Sequence, residues 1–356
     1  DAEFVRKAAE DRADEINTCI ACNQACLDHI FNMQTCSCLV NPRACHETIL
    51  TYGPTDTPKT IAVVGSGPAG CSCAITAAER GHRVTLFESA EAIGGQLNYA
   101  RQVPGKQEFD ETIRYFTRQL ELNRVTVRLG KRVSVEDLRD GAFDEVILAT
   151  GVAPRELDIV GIDHPKVLSY IEVLGDKKPV GKTVAIIGAG GIGFDVAEYL
   201  SHSGEGREQS LDDFLAQWGV DREPATDGGL KQMAPPQAAR QVYLLQRKTT
   251  KIGKGLGKTT GWIHRAALNM SGVAMIAGAV YHKIDDDGLH VTVGDKDQLL
   301  AVDNVIICAG QEPQRELQQG LEAAGLEVTL IGGADMAAEL DAKRAIKQAI
   351  LVAAAL

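Results

Sequence analysis

Four cysteines near the start of the chain have a spacing that suits a metal centre. Cys19, Cys22, Cys26 and Cys38 follow the pattern C-x2-C-x3-C-x11-C. Three thiolates this close together cannot all pair with one another as disulfides without strain, but they can converge on one metal centre with a fourth sulfur from a short loop. Sulfur ligands suit zinc or an iron–sulfur cluster. The unequal gaps favour iron–sulfur, because zinc modules usually use two separated CxxC pairs, and zinc stays the alternative.

The remaining cysteines divide into two groups. Cys36 lies two residues before Cys38 and could replace it as the fourth ligand, and the role of Cys45 is open. The other three lie in apolar helix or strand segments and are predicted to be small core residues, namely Cys71, Cys73 and Cys308.

A first glycine-rich turn follows the cysteine-rich segment. The β-branched run 60–64 leads into the motif G-x-G-x-x-G, then an alanine-rich helix to Arg80 and a second strand at 83–87. Glycines there let backbone amides approach a pyrophosphate at the helix N-terminus, and an acid ending the second strand can accept hydrogen bonds from ribose hydroxyls. The predicted dinucleotide-binding residues are Gly65, Gly67, Pro68, Ala69, Gly70 and Glu88.

The same unit is repeated later in the chain. A strand at 183–187 enters a second G-x-G-x-x-G motif and a helix through about Leu200, and its second strand, 241–246, follows a polar insertion of some 40 residues. That strand ends on two cations instead of an acid. The two cations would attract a 2′-phosphate and favour NADPH over NADH. The alternative is an ordinary solvated basic pair. The predicted residues are Gly188, Gly190, Gly193, Arg247 and Lys248.

Other loops add candidate cofactor contacts. Two apolar strands end in small-residue turns at Gly151 and Gly310, which suits chain crossovers between two nested domains. The Gly95-Gln96 pair could bring backbone amides against a flavin. Residues 331–335 predict a strand-to-turn segment that leads into a helix from about Met336, and Gly333 and Asp335 would face the middle of an extended dinucleotide; a plain helix N-cap is the alternative for the aspartate. The expected fold is therefore α/β, with two nested Rossmann-like domains.

Length, charge and cysteine content limit the possible domain number, binding partners and location of the protein. With 356 residues the chain should contain at least two domains, and its net charge of −11 argues against binding to nucleic acid or to an anionic membrane surface. No apolar run spans a membrane and no signal peptide is visible, so nine cysteines favour a reducing, cytoplasmic location. The chain begins at Asp1 with what reads as the charged end of a helix, which predicts that it is part of a longer polypeptide.

Several long motifs resemble those of the bacterial NADPH-dependent 2,4-dienoyl-CoA reductases, in the trimethylamine dehydrogenase-like group of flavoproteins. The resemblance covers almost the whole chain and matches the C-terminal half of that family. The stretches that carry it are residues 14–19 (DEINTC), 22–26 (CNQAC), 38–47 (CLVNPRACHE), 161–169 (GIDHPKVLS), 246–248 (QRK), 255–264 (GLGKTTGWIH) and 309–313 (AGQEP).

The resemblance implies which segment binds which cofactor. It implies a [4Fe–4S] cluster on the four spaced cysteines, FAD on the first fingerprint, NADPH on the second, and Gln24 as a further cofactor contact. It also implies an FMN-bearing TIM barrel upstream, absent from this chain, whose last helix residues 1–12 resemble. The expected domains are 1–52 (end of the barrel and cluster segment), 53–178 and 302–356 (FAD), and 179–301 (NADPH).

The function implied is the electron-input half of a 2,4-dienoyl-CoA reductase of unsaturated fatty acid β-oxidation. Electrons would pass from NADPH through FAD and the cluster toward FMN, where the dienoyl-CoA is reduced, so no catalytic acid is expected in this chain. The oligomeric state is open. Two alternatives stand: an electron-transfer subunit like the small subunit of glutamate synthase, and a zinc-stapled dinucleotide-binding regulator without turnover.

Overall fold

The chain forms two compact units that alternate along the sequence. A computed structural model describes residues 1–202, 210–223, 225–235, 237–337 and 341–356. The first unit comprises Asp1–Asn98, Glu108–Ala153 and Gln311–Leu356, and the second comprises Tyr99–Gln107 and Pro154–Gly310. In the part of the chain that the structure describes, no helix is both long and apolar enough to cross a bilayer.

The strands are β1 Thr60–Val64, β2 Arg83–Phe87, β3 Thr126–Arg128, β4 Glu145–Leu148, β5 Val152–Pro154, β6 Val167–Ser169, β7 Thr183–Ile187, β8 Gln241–Gln246, β9 Ala274–Ala277, β10 Ala279–Asp285, β11 Gly288–Val293, β12 Lys296–Leu300, β13 Asn304–Ile307, β14 Gln311–Pro313 and β15 Val328–Leu330.

The α-helices are α1 Phe4–Ala9, α2 Leu27–Phe31, α3 Pro68–Glu79, α4 Leu97–Ala100, α5 Phe109–Leu122, α6 Val135–Asp140, α7 Tyr170–Leu174, α8 Gly191–Ser201, α9 Leu211–Trp218, α10 Gly261–Met270, α11 Gln318–Ala323 and α12 Ala342–Ala355. Two single 3₁₀ turns add Ala13–Glu15 and Asp227–Gly229.

The first unit is built on a parallel sheet with strand order β15-β4-β1-β2-β3. Strand β1 is buried on both faces, as expected for a central parallel strand of β-branched residues. Its Ile61 and Val63 pack in one core with helices α3, α5 and α12, while Ala62 and Val64 pack in another with α6 and α11. The alternation produces three layers, helix–sheet–helix, and places the end of β1 at the start of α3.

The second unit has a matching parallel sheet with order β6-β13-β7-β8-β9. On β7, Val184 and Ile186 pack with α7, α8 and α10, while Ala185 and Ile187 pack against the antiparallel sheet β10-β11-β12. Both units therefore have the Rossmann-like FAD/NAD(P)-binding fold that the sequence predicts.

The strands of both fingerprint units occupy the predicted residues, 60–64, 83–87, 183–187 and 241–246. Segment 1–52, which contains the spaced cysteines, has two short helices, α1 and α2. The polar insertion before β8 contains α9, and its residues 203–209, 224 and 236 lie outside the described part.

Candidate cofactor-binding sites

The first fingerprint forms a tight turn between β1 and α3. Gly65 has a left-handed backbone (φ +100°), and a Cβ there would overlap the carbonyl group of Ala149. A Cβ on Gly70 would overlap the carbonyl of Gly65 itself, so the helix can approach the turn only because both are glycines. Gly67 differs, since a Cβ would meet no protein atom within 4 Å. The turn is thus closed on its protein side and open at Gly67.

The open side of this turn is suited to an anion. Helix α3 has 12 residues with Pro68 in its first turn, and no side chain among the described residues caps its N-terminus. The first amides of a helix point outward with partial positive charge, which favours a phosphate at that end. Ala69 and Gly70 supply such amides. The structure thus provides what a pyrophosphate needs.

Glu88, predicted to bind a ribose, lies where β2 ends and already has protein partners. Its Oε2 accepts hydrogen bonds from the backbone amide of Ser66 (2.9 Å) and from the Ser66 hydroxyl (2.7 Å), and its Oε1 accepts one from the amide of Ala90 (2.8 Å). Oε1 also accepts a hydrogen bond from the Ser89 hydroxyl (3.3 Å). These four bonds use the roughly four acceptor positions of an ionised carboxylate, so a ribose hydroxyl would have to replace one of them, and the bond from Ser89 is the longest. Glu88 therefore holds the turn in addition to its predicted role at the ribose.

The loop with Gly95 and Gln96 lies against the first turn. The amide of Gly94 donates to the carbonyl of Ser66 (2.9 Å), and a Cβ on Gly95 (φ +52°) would lie 2.9 Å from the Cα of Gly67. Only glycine allows the two loops to come this close. The predicted flavin loop and the predicted pyrophosphate turn are thus neighbours.

Gly151 and Gly333 also meet in the first unit. A Cβ on Gly333 would lie 2.8 Å from Val152 Cγ1 and 3.0 Å from the carbonyl carbon of Gly151, which itself has φ +76°. Asp335 is partly exposed and its Oδ2 accepts a hydrogen bond from Gln348 Nε2 (2.7 Å). Gln348, which ties this segment to α12, belongs to no motif recognised in the sequence.

The prediction of a helix from about Met336 is wrong. Residues 336 and 337 are not helical, residues 338–340 lie outside the described part, and the helix that follows, α12, begins at Ala342 with Asp341 as its N-cap. The guanidinium of Arg315 donates to the carbonyls of Ala334 and Asp335. These contacts tie the turn at residues 334 and 335 to Arg315.

The second fingerprint repeats the closed and open sides of the first. Gly188 has φ +113°, and a Cβ there would lie 2.7 Å from the carbonyl atoms of Cys308, while a Cβ on Gly193 would overlap the Gly188 carbonyl. Around Gly190 a Cβ would meet nothing within 4 Å. Helix α8 begins at Gly191 without a side-chain cap from any described residue. The same features make this turn a second candidate anion site.

Two exposed cations follow β8 in this unit. Arg247 and Lys248 form no ion pair with the residues that the structure describes, and the backbone at Lys248 is fixed because its carbonyl accepts from Gln246 Nε2 and the Gly278 amide, both at 3.0 Å. Burial raises the pKa of Tyr281 to about 12, and the charge of Arg247 acts in the opposite direction. The positive charge of Arg247 therefore acts on this phenol, an interaction that sequence spacing did not suggest.

Gly310 has a left-handed backbone (φ +87°) at the end of β13 and accepts a hydrogen bond from the amide of Arg155 (3.2 Å). A Cβ on Gly310 would lie 3.2 Å from Arg155 Nε, so the arginine side chain covers this turn. The arginine was missed by sequence reasoning, because it belongs to none of the recognised motifs.

The four spaced cysteines are neighbours in the first unit. Burial raises the pKa of the Cys22 thiol, and Cys38, Cys26 and Cys19 add to the rise, because a charge on one thiolate disfavours a charge on the next. The backbone amide of Gln24 opposes it by hydrogen bonding to the Cys22 sulfur. Gln24 itself is exposed. The other three cysteines therefore act electrostatically on Cys22, and one backbone amide donates to its sulfur.

The described residues contain no group of three or more His, Cys, Asp or Glu side chains that could hold a metal ion. The donor types nevertheless fit a [4Fe–4S] cluster, in which each of the four thiolates bonds a different iron instead of one shared ion. Iron–sulfur binding and the four ligands stay predictions.

The other cysteines divide as predicted. Cys71, Cys73 and Cys308 are buried, and burial raises the pKa of Cys73 to about 12. Cys36 is half-buried and Cys45 is exposed. Burial is the largest cause that raises the pKa of the Cys36 thiol, and Cys45 is the second.

Comparison with known proteins agrees with this geometry. Residues 59–343 match the pyridine nucleotide-disulphide oxidoreductase family. The chain belongs to this family. Two relatives of this oxidoreductase are a metal reductase of Desulforamulus reducens, 31% identical over 338 residues, and an NADH oxidase of Thermoanaerobacter brockii, 31% identical over 341 residues. Each alignment covers 94% of this chain, but 50% and 47% of the relative, so the chain spans about half the length of these relatives.

Among solved structures, 2-naphthoyl-CoA reductase in complex with 2-naphthoyl-CoA is similar to the whole oxidoreductase chain, with a TM-score of 0.85 and 26% identity over 49% of that protein. Histamine dehydrogenase from Rhizobium sp. 4-9 has a TM-score of 0.78 at 21% identity, covering all of this chain and 50% of that one, which shows a shared fold.

Proposed function

We propose that this chain is the NADPH-oxidising, electron-input half of a flavoprotein reductase. The observation that carries the proposal is the pair of matching glycine turns with opposite charges at the end of the following strand: Glu88 in the first unit, Arg247 and Lys248 in the second. A carboxylate suits the ribose hydroxyls of FAD, and two cations suit the 2′-phosphate that distinguishes NADPH from NADH. Membership in the oxidoreductase family supports both sites.

In this proposal the residues of the chain bind the two dinucleotides and orient them. In each unit the open glycine, Gly67 or Gly190, leaves room for a phosphate at a helix N-terminus. Arg247 and Lys248 hold the 2′-phosphate, while Gly95 and Gln96 present backbone to the flavin. When bound, FAD accepts a hydride from reduced nicotinamide and can release its electrons singly, whereas an iron–sulfur cluster carries one electron at a time.

We further propose that Cys19, Cys22, Cys26 and Cys38 bind a [4Fe–4S] cluster. The support is the set of four neighbouring thiols, the C-x2-C-x3-C-x11-C spacing, and the Gln24 amide that donates to Cys22 sulfur. Hydrogen bonds to cluster sulfurs are among the means by which proteins set a cluster's potential. Iron and acid-labile sulfide in protein purified without oxygen, both lost in Cys22→Ser, test this; zinc in their place would overturn it.

The proposed substrate of the complete enzyme is a 2,4-dienoyl-CoA, reduced at FMN in a barrel beyond this chain. The support is the resemblance carried by residues 38–47 and 255–264, together with the reductases among the relatives, one of them crystallised with an aromatic acyl-CoA. The chain alone should oxidise NADPH with an artificial electron acceptor and leave dienoyl-CoA unchanged. Reduction of dienoyl-CoA by this chain alone would overturn the division between input and substrate halves.

A cofactor titration tests whether the two cations at the end of β8 select NADPH. Flavin reduction is followed at 450 nm without oxygen, with NADPH and NADH, in the wild type and in Arg247→Ala/Lys248→Ala. Two charge-assisted contacts to phosphate predict a loss of roughly 10–100-fold in NADPH affinity with little change for NADH. Lys251→Ala/Lys254→Ala, which removes two exposed cations of the following loop, is the matched control and should keep the NADPH preference. Equal losses in both double variants would show that only general positive charge matters.

A further inference from the structure

The turn that carries Asp335 lies directly against the helix of the first fingerprint. A Cβ on Gly332 (φ +64°) would lie 2.8 Å from the Cβ of Ala69, in the first turn of α3, and 3.8 Å from that of Ala345 on α12. Only glycine allows the turn to come this close to α3. The carboxylate of Asp335 therefore belongs to a segment that is fixed beside the proposed pyrophosphate site of FAD.

One side chain of α12, Gln348, is bonded to both ends of this turn. Its Oε1 accepts a hydrogen bond from the backbone amide of Gly332 (2.8 Å), and its Nε2 donates to Asp335 Oδ2 (2.7 Å). The partners determine which way the side-chain amide points, because the backbone N–H needs an acceptor and an ionised carboxylate needs a donor. The glutamine thus joins the start of the turn to the carboxylate at its end.

The backbone of the turn has other supports, but the carboxylate does not. The guanidinium of Arg315 donates to the carbonyl of Ala334 (2.6 Å). That of Arg344 donates to the carbonyl of Met336 (2.6 Å). Among the residues that the structure describes, the glutamine is the one side chain that donates to the Asp335 carboxylate, and nothing donates to Oδ1. The aspartate is partly exposed, so Oδ1 is left for a ligand.

We propose that Gln348 is a positioning residue for FAD, which fixes the Asp335 carboxylate so that Oδ1 can accept a hydrogen bond from a hydroxyl group of the dinucleotide. This inference rests on the proposed FAD site. Without the glutamine, a freely rotating aspartate would lose conformational entropy when FAD binds. Its Oδ2 would also be covered by the ligand without a donor, which is unfavourable for an ionised group. Both effects weaken FAD binding.

A double-mutant cycle tests this role. FAD is titrated, without oxygen, into the full chain from which bound flavin has been removed, and the quenching of flavin fluorescence gives the dissociation constant. The four proteins are the wild type, Gln348→Ala, Asp335→Ala and the double variant. Gln348→Ala should weaken FAD binding roughly tenfold when Asp335 is present, and less than about twofold when it is absent, because the glutamine then has no carboxylate to orient.

Further variants separate positioning from a general effect on the helix. Gln348→Met, which keeps a long unbranched side chain without the amide, should give the same result if the smaller alanine disturbs folding. Lys347→Ala changes an exposed neighbour on α12 and should leave FAD affinity unchanged. An equal loss of affinity from Gln348→Ala with and without Asp335 would mean that the glutamine acts only by holding the fold, and would overturn the proposal. A wild-type chain that binds no FAD would instead overturn the proposed flavin site, and this inference with it.

Discussion

The two fingerprint turns share their backbone and differ in how the following strand completes them. In both, the first glycine is left-handed and packed against a carbonyl group, of Ala149 for Gly65 and of Cys308 for Gly188. In both, the middle glycine faces open space. The first glycine is therefore required by the fold, whereas no protein contact requires the middle glycine, which fits its proposed role of leaving room for a ligand.

The residues that follow β2 and β8 differ in charge and in how far their charged groups are already bonded within the protein. Glu88 accepts two hydrogen bonds from Ser66, one from Ser89 and one from Ala90, so the acid stabilises its own turn. Arg247 and Lys248 are exposed and form no ion pair with any described residue. The first unit thus uses its charge partly for structure, while the second keeps its charges available for a ligand.

The largest effect is expected from a side chain at the closed glycines. Gly65→Ala and Gly188→Ala each combine a left-handed backbone with a clash against a carbonyl, which should cost about 2–4 kcal/mol of unfolding free energy. Gly65→Ala should also lose flavin, whereas Gly188→Ala should keep flavin and lose reduction by NADPH. Urea denaturation and absorbance at 450 nm measure both.

Matched controls separate the clash from the backbone strain. Gly81 in the first unit (φ +98°) and Gly272 in the second (φ +70°) are left-handed, but a Cβ on either would meet nothing within 4 Å. Gly81→Ala and Gly272→Ala should therefore cost only the backbone strain, about 1–2 kcal/mol. If Gly65→Ala is no worse than Gly81→Ala, the contact with Ala149 does not constrain the turn.

A smaller and more selective effect is expected at the open glycines. Gly67 (φ −66°) and Gly190 (φ −84°) have backbones that alanine adopts readily, so substitution should change stability by less than about 1 kcal/mol. A methyl group at the closest approach to a phosphate should weaken FAD binding in Gly67→Ala and NADPH binding in Gly190→Ala by roughly tenfold or more. Titration of flavin-free protein with FAD, and of flavin-loaded protein with NADPH, gives the two affinities. Unchanged affinities with normal stability would place the phosphates elsewhere.

The sequence predicts the fingerprint units well, because their signals are local: a β-branched run, a glycine turn and a helix within about 30 residues. The strands 60–64 and 183–187 follow from these signals. The prediction of a helix from Met336 is wrong. The turn there is held by Arg315, and local sequence signals do not reveal a contact between residues that far apart in the chain. The partners of Glu88 and Asp335 were missed for the same kind of reason.

A further difference between the units lies one residue before each second strand. In the first unit this residue is His82, which is buried and whose Nδ1 accepts a hydrogen bond from the amide of Lys59 (3.0 Å). In the second unit it is Arg240, whose Nε donates to the carbonyl of Gly181 (3.0 Å) and whose Nη1 donates to that of Leu200 (3.3 Å). The turn directly before the second strand, which we call the corner, is thus held by a neutral acceptor in the first unit and by a permanent cation in the second.

This difference predicts that acid weakens the corner of the first unit and not that of the second. Burial lowers the pKa of His82, and the charges of Arg80 and Lys59 lower it further, while Glu145 opposes them. The unfolded chain therefore binds a proton at a higher pH than the folded chain does. Stability from this group is complete above the unfolded pKa of about 6.5 and falls as the pH drops below it, by at most about 1.4 kcal/mol per pH unit.

His82→Asn keeps an acceptor for the Lys59 amide but does not titrate. Urea denaturation at pH 7.5, 6.5 and 5.5 should show a smaller loss of stability in the variant than in the wild type between the two lower values, and the same pH dependence above pH 6.5. Other groups titrate equally in both proteins, so the difference isolates His82. Parallel curves over the whole range would mean that the folded chain protonates His82 as easily as the unfolded chain, and that the Lys59 amide does not need the neutral ring.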